Sequence, residues 1–135
     1  MDAALAEAVW RRARTACEYC RVPQAAYRTA FEIDHVIARQ HGGRTVLTNL
    51  AVSCLHCNSH KGPNIAGLDP LASGTQPVRL FHPRRHKWDR HFRWDGPFLV
   101  GRTAIGRVTI AVLAMNAPDA VAARAALIDE GIFSP

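Results

Sequence analysis

Leu5, Val9, Ala13 and Ala16 recur every three or four residues near the start of the chain. This spacing predicts a helix with one narrow buried stripe, capped by Asp2 and running to about Thr15. Arg11, Arg12 and Arg14 fall mostly off that stripe, on what should be a solvated face. From Phe31 to Val36 the period shortens to two. Phe31, Ile33 and His35 alternate with Glu32 and Asp34, the pattern of a strand. The polar run Arg39–Arg44 contains Gly42-Gly43 and reads as a loop. Val46–Val52 predicts a second extended segment, interrupted at Thr48-Asn49, and a helix is expected from Leu55 until Gly62-Pro63 stops it. Pro63 to Pro77, rich in Pro, Gly, Asn and Ser, reads as a loop wrapping the core, with a short apolar piece at Ile65–Leu71. Phe98–Val100 and Val108–Leu113, with Gly101 and Gly106 between them, predict a pair of strands. Asn116 and Pro118 then predict a last helix, buried along Val121, Ala125 and Ile128 and ended by Gly131.

The pattern is that of an α+β protein, and a chain of 135 residues is one domain by its length, 1–135. No repeat or low-complexity segment interrupts it. The formal charge of +6 favours a polyanionic partner such as nucleic acid, the alternative being a basic surface that is merely solvated. The basic residues concentrate between Arg79 and Arg93, where Arg84, Arg85 and Arg90 sit among Phe81, His82, His86, Trp88, His91 and Phe92. Cationic groups can track phosphates while aromatic faces stack bases. The arginines are therefore assigned to nucleic acid and most of the aromatics to the core. The three histidines of this stretch lack a metal-binding spacing. No apolar stretch approaches the length of a membrane span, so a cytoplasmic protein without membrane contact is expected.

Cysteine chemistry changes the picture most. The only four cysteines form two CxxC pairs, Cys17/Cys20 and Cys54/Cys57. Each pair can point two thiolates at one centre, and together they supply a closed tetrahedral set for Zn²⁺. In a reducing compartment this assignment is preferred to two disulfides, which would require export. Asn58 and Lys61 follow the second pair at helical spacing. Asp34-His35 offers an oxygen ligand for a hard cation beside a general base whose ordinary pKa is near neutrality. Both can serve one site only where the strand ends or kinks, because neighbouring side chains of a strict strand point to opposite faces.

In combination, Cys17-x-x-Cys20, Asp34-His35, Gly42-Gly43, Thr48-Asn49-Leu50 and Cys54-x-x-Cys57-Asn58-x-x-Lys61 resemble the zinc-containing branch of the HNH endonucleases. The resemblance spans residues 17 to 62. Lys61-Gly62-Pro63-Asn64, Phe81-His82-Pro83-Arg84 and Met115-Asn116 further resemble a subgroup of small bacterial members with the same C-terminal extension. The resemblance implies a ββα-metal core pinned by the four-cysteine zinc site, with an N-terminal helix and a strand-and-helix extension. It implies an endonuclease that hydrolyses phosphodiester bonds in DNA, RNA not being excluded. His35 would be the general base, and Asn49 would orient its imidazole through a side-chain or backbone carbonyl. Asp34 and Asn58 would hold one catalytic Mg²⁺ or Mn²⁺. Lys61 is expected either to touch a phosphate or to end its helix favourably. The proline that many relatives carry after the Asp-His pair is missing, the segment here being Val36-Ile37-Ala38-Arg39. His41, His56 and His60 are additional histidines near the site. Two rival functions are a zinc-binding nucleic-acid module without catalysis and a dithiol redox or adaptor protein, the latter requiring reactive thiols rather than a closed set of four thiolates on zinc.

Overall fold

Asp2 caps the first helix. The computed structural model describes residues 1–135 and places α1 at Ala3–Arg12, with the Asp2 carboxylate accepting the Leu5 N–H at 2.8 Å. That bond satisfies one of the donors that a helix start leaves unpaired. Val9 is fully buried, and Leu5, Trp10 and Ala13 pack on the same core. The helix ends short of Thr15 because Arg14 and Thr15 both adopt left-handed backbone, with φ of 55° and 53°. Arg12 is exposed, as expected, but it also makes long-range bonds. Its guanidinium donates to the carbonyls of Leu47 at 2.9 Å and Leu50 at 2.7 Å, fastening the helix over the chain that follows.

The expected hairpin is present. β1 (Glu32–His35) and β2 (Leu50–Ser53) run antiparallel, Glu32 opposite Ser53 and His35 opposite Leu50. Every residue of β2 is buried, since α1 packs on this strand while β1 flanks it. α2 (Leu55–Lys61) follows at once, capped by Cys54 and closed at Gly62, and it packs on β1.

The C-terminal half differs more from expectation. The segment 63–77 is not loop throughout, because β3 (Ala66–Gly67) pairs with β4 (Val78–Arg79). Beyond them, α3 (Trp88–His91) runs directly into β5 (Phe92–Asp95), which pairs with β6 (Phe98–Gly101) across a tight turn at Gly96-Pro97. Val108–Leu113 is not the strand partner of Phe98–Val100 that the sequence pattern predicts, and the structure corrects this. Most of that run belongs to α4 (Ala104–Val112), whose cap is Thr103, its hydroxyl accepting the Gly106 N–H at 3.1 Å. A short apolar run fits a buried helix as well as a strand, and here the cap decides. A Cβ at Gly106 would collide with the His91 carbonyl oxygen, so α4 can lie against α3 only through a glycine. The last helix, α5 (Pro118–Asp129), begins with proline as predicted. Its expected line of Val121, Ala125 and Ile128 is only half-buried, however, and the buried residue is Arg124. Arg124 donates to the carbonyls of Pro97 at 2.8 Å and Met115 at 2.7 Å. The side chain of Asn116 accepts the Leu99 N–H at 2.9 Å and donates to the Leu99 carbonyl at 2.7 Å.

The architecture is thus α+β, with three two-stranded antiparallel sheets around one cluster of buried side chains. No helix is long and apolar enough to cross a membrane. Phe81, Trp88 and Phe92 lie in the core as predicted. The neighbouring histidines pack with them: the His86 ring stands 5.9 Å from that of Phe81, and His91 stands 5.2 Å from His86. His82 Nδ1 accepts the Arg84 N–H at 3.2 Å, and His86 Nδ1 accepts the His82 N–H at 2.9 Å. Burial, reinforced by the Arg85 charge, pushes the pKa of His82 down from 6.5 to about 4. Burial lowers His86 and His91 as well.

These shifts predict acid lability. An unfolded chain takes up a proton on His82 near pH 6.5 while the folded chain resists it until about pH 4. The stability is therefore complete above the unfolded value and is lost as pH falls through that window, by up to ~3 kcal/mol. Urea unfolding at pH 7 and pH 4.5 should show a steeper loss in the parent than in His82→Asn, which removes the titration and leaves an acceptor for the Arg84 amide. Equal losses would place the acid-sensitive group elsewhere.

Candidate active site and zinc centre

The four cysteines converge. Arg21, at φ 66°, lets the turn after α1 close on itself, with the Cys17 N–H on the Val22 carbonyl and the Arg21 N–H on that of Cys17. Cys54 follows β2 and caps α2, its sulfur accepting the Cys57 N–H at 3.4 Å. All four sulfurs lie within 4.8 Å of one another, all are buried, and none forms a disulfide. The Cys20 and Cys54 sulfurs are 3.7 Å apart. A Zn–S bond of about 2.3 Å makes the edge of a tetrahedron of four sulfurs around zinc ~3.8 Å, so the set fits structural zinc. Hydrogen bonds from the other three thiols pull the Cys54 pKa down, while contacts with Cys17 and Cys54 push Cys20 up and contacts with the other three push Cys57 up. Thiols this close share negative charge poorly unless a cation sits among them.

The zinc turn reaches the hairpin through two side chains to which the sequence pattern assigns no role. Glu18 pairs with Val52 by backbone at 2.8 Å and by its carboxylate, which accepts the Val52 N–H at 2.9 Å. Tyr19 is fully buried, and its hydroxyl donates to Asp34 Oδ2 at 2.9 Å. Burial, followed by the charge of Asp34, holds the phenol well above its ordinary pKa, so the proton stays on the oxygen. The only hint in sequence is an aromatic residue inside a CxxC turn, which by itself has no assigned partner.

Asp34 and His35 occupy the end of β1. The Lys61 ammonium lies 3.1 Å from Asp34 Oδ2 and 3.4 Å from the His35 carbonyl oxygen, and its side chain is 1% exposed. This corrects the expectation that Lys61 meets a phosphate, because its charge is buried against β1. Burial raises the pKa of Asp34, opposed by Lys61, the Tyr19 hydroxyl and His35. Residues three apart share a helix face. Asn58 therefore shares a side of α2 with Lys61, and its half-buried side chain has no hydrogen bond within the chain. Asp34 Oδ1 is likewise without a partner. An unpartnered carboxylate oxygen and an unpartnered amide are ligand types that a divalent cation keeping most of its water can use.

The His35 imidazole bonds through Nε2 to the Thr45 hydroxyl at 2.8 Å. No hydrogen bond joins Asn49 to the ring, contrary to expectation. Its amide is occupied entirely by the hairpin loop, accepting from Ile37 N–H at 2.9 Å and donating to the carbonyls of Ile37 at 3.0 Å and Arg44 at 2.9 Å. Its own carbonyl accepts the Val36 N–H. Asn49 thus shapes the chain just after His35 rather than the ring. A Cβ at Gly43 would collide with the Ile37 carbonyl oxygen, so this clamp also requires a glycine.

The predicted binding strip divides. Arg84 is mostly buried in an ion pair with Glu18, with one nitrogen, Nη1, lacking a partner. It joins the extension to the zinc turn and is not free for phosphate, a second correction. Arg85 is exposed and lines a concavity of about 470 Å³ together with His41, Arg44 and His82, with no acidic residue in its wall. Arg90 is exposed on α3, outside that concavity. His56 bonds to the Ala114 carbonyl at 2.8 Å, and His60 to that of His56.

Removing one sulfur tests the zinc assignment. Cys54→Ser should release zinc and melt well below the parent, since structural zinc contributes on the order of 10 kcal/mol in small domains. Full zinc content in a well-folded Cys54→Ser protein would exclude it.

No curated protein and no solved structure matches the chain. The stretch that holds both cysteine pairs, the hairpin and α2 does have a counterpart: residues 17–64 match the HNH endonuclease family.

Proposed function

We propose that the protein is a metal-dependent endonuclease that hydrolyses phosphodiester bonds in DNA. What supports this is the end of β1, where His35 stands beside the Asp34 carboxylate, whose Oδ1 has no partner, and where Lys61 on α2 reaches Asp34 one turn after Asn58. Asp34 and Asn58 would hold one Mg²⁺ or Mn²⁺. When bound, such a cation offsets charge on the pentacovalent phosphate and the departing 3′ oxygen. Thr45 can accept the Nε2 proton of His35 at 2.8 Å, which leaves Nδ1 with a lone pair. Nδ1 then takes a proton from the attacking water, and the fixed tautomer keeps that lone pair available. Asn49 and Gly43 act behind the ring by shaping the loop that carries Thr45. Arg44 and Arg85 supply cationic surface for the strand backbone.

A second reading is a zinc-stabilised nucleic-acid-binding module without catalysis. The buried Lys61–Asp34 pair favours it, because an ammonium already neutralises the carboxylate. Cleavage of supercoiled plasmid, with single-stranded RNA in parallel, separates the two. With Mg²⁺ or Mn²⁺ the parent should cut DNA. His35→Ala should keep zinc content and DNA affinity and lose roughly 10²- to 10⁴-fold in rate, the usual worth of a general base. Asp34→Asn, which keeps an oxygen for the buried Lys61, should raise the cation concentration needed for any remaining activity. A His35→Ala protein as fast as the parent would remove this mechanism.

Binding has its own test. Arg44→Ala with Arg85→Ala should weaken affinity for unrelated duplexes alike and flatten the dependence of log K on log[salt] by ~1 to 2. Unchanged affinity and slope would return these residues to ordinary surface.

A further inference from the structure

Asp34 Oδ2 receives two donors of very different origin. Lys61 comes from α2, an element that packs on β1 directly. Tyr19 comes from the first cysteine turn, between Cys17 and Cys20, and its hydroxyl is 2.9 Å from the carboxylate. The phenol itself cannot drift. Its ring is fully buried, and its carbonyl oxygen accepts the Trp88 indole N–H at 2.7 Å. The neighbouring Glu18 is bonded to Val52 on β2. A rigid donor aimed at one oxygen of a carboxylate fixes the rotation of that group and leaves only the other oxygen for a new ligand.

We propose that Tyr19 is a positioning residue for the cation site: its hydroxyl locks Asp34 so that Oδ1 alone is presented as a single-oxygen ligand, and it thereby makes the order of the cation site depend on the zinc turn. The proposal rests on the assignment of Asp34 as a cation ligand. The phenol touches neither substrate nor cation and acts only through the carboxylate. Hydrogen-bond partners of metal-ligating carboxylates commonly set affinity by 10- to 100-fold, and Tyr19→Phe removes this one while retaining the ring in the core.

The experiment is a Mn²⁺ titration of zinc-loaded protein, following free Mn²⁺ by its paramagnetic resonance signal, for the parent, Tyr19→Phe and Asp34→Asn. Zinc content and melting temperature are measured on the same samples. Tyr19→Phe should retain zinc and bind Mn²⁺ about tenfold more weakly than the parent. In plasmid cleavage its half-saturating cation concentration should rise by a similar factor, with the rate at saturating cation near that of the parent. Parent-like Mn²⁺ affinity in Tyr19→Phe, beside weakened binding in Asp34→Asn, overturns the proposal alone. Equal binding by the parent and Asp34→Asn overturns the cation assignment and the proposal together. Loss of zinc from Tyr19→Phe also overturns it, because the phenol would then serve the fold of the cysteine turn.

Discussion

The ion pair between Lys61 and Asp34 is the constraint on which the core depends. A lysine at 1% exposure and a carboxylate mostly removed from water contribute little net stability by themselves, because desolvation cancels most of their attraction. Losing either partner would leave the other charge buried, and that is far more damaging. The pair is tolerable because the Tyr19 hydroxyl and the His35 carbonyl supply further bonds. Its effect is on geometry. β1, α2 and the first cysteine turn must all meet around one carboxylate group, so their relative placement is defined to within a hydrogen-bond length.

The C-terminal extension buttresses the same turn from outside. Glu18 is partly buried, which raises its pKa against the Val52 N–H and Arg12. Arg84 supplies its counter-charge from the extension. Trp88 bonds the Tyr19 carbonyl, and the Arg21 guanidinium stacks over the Trp88 ring at 4.0 Å. Side chains between Arg84 and Trp88 therefore hold the two residues that lie between the first pair of cysteines. The small hairpin-and-helix core acquires in this way a second layer, and the arginine density that resembles a nucleic-acid strip is partly explained by that packing.

Features encoded locally were legible in the sequence. Asp2 as a cap, the cysteine turns, the position of β1 and the stop at Gly62 all depend on residues within a few positions of one another, and each is found where expected. What depends on a distant partner was not. Lys61 reads as exposed until Asp34 is placed beside it, and Arg84 reads as a phosphate contact until Glu18 is. Asn49 was identified as part of the site, but its bonds to Ile37 and Arg44 show that it shapes the loop. Val108–Leu113 satisfied two patterns at once, and only the Thr103 cap, together with the glycine against His91, selects the helix. The two-residue ladder of β3 and β4 is too short to carry any periodicity.

The Asn116 amide has a consequence for how the molecule behaves among its neighbours. β6 is paired with β5 on one side only, and a strand with an open edge is a template on which another chain can add. Asn116 answers the Leu99 N–H and carbonyl with its own donor and acceptor, imitating one residue of a missing strand. The backbone groups that an added strand would need at Leu99 are thereby already taken, and a single side chain disfavours strand addition at the centre of that edge.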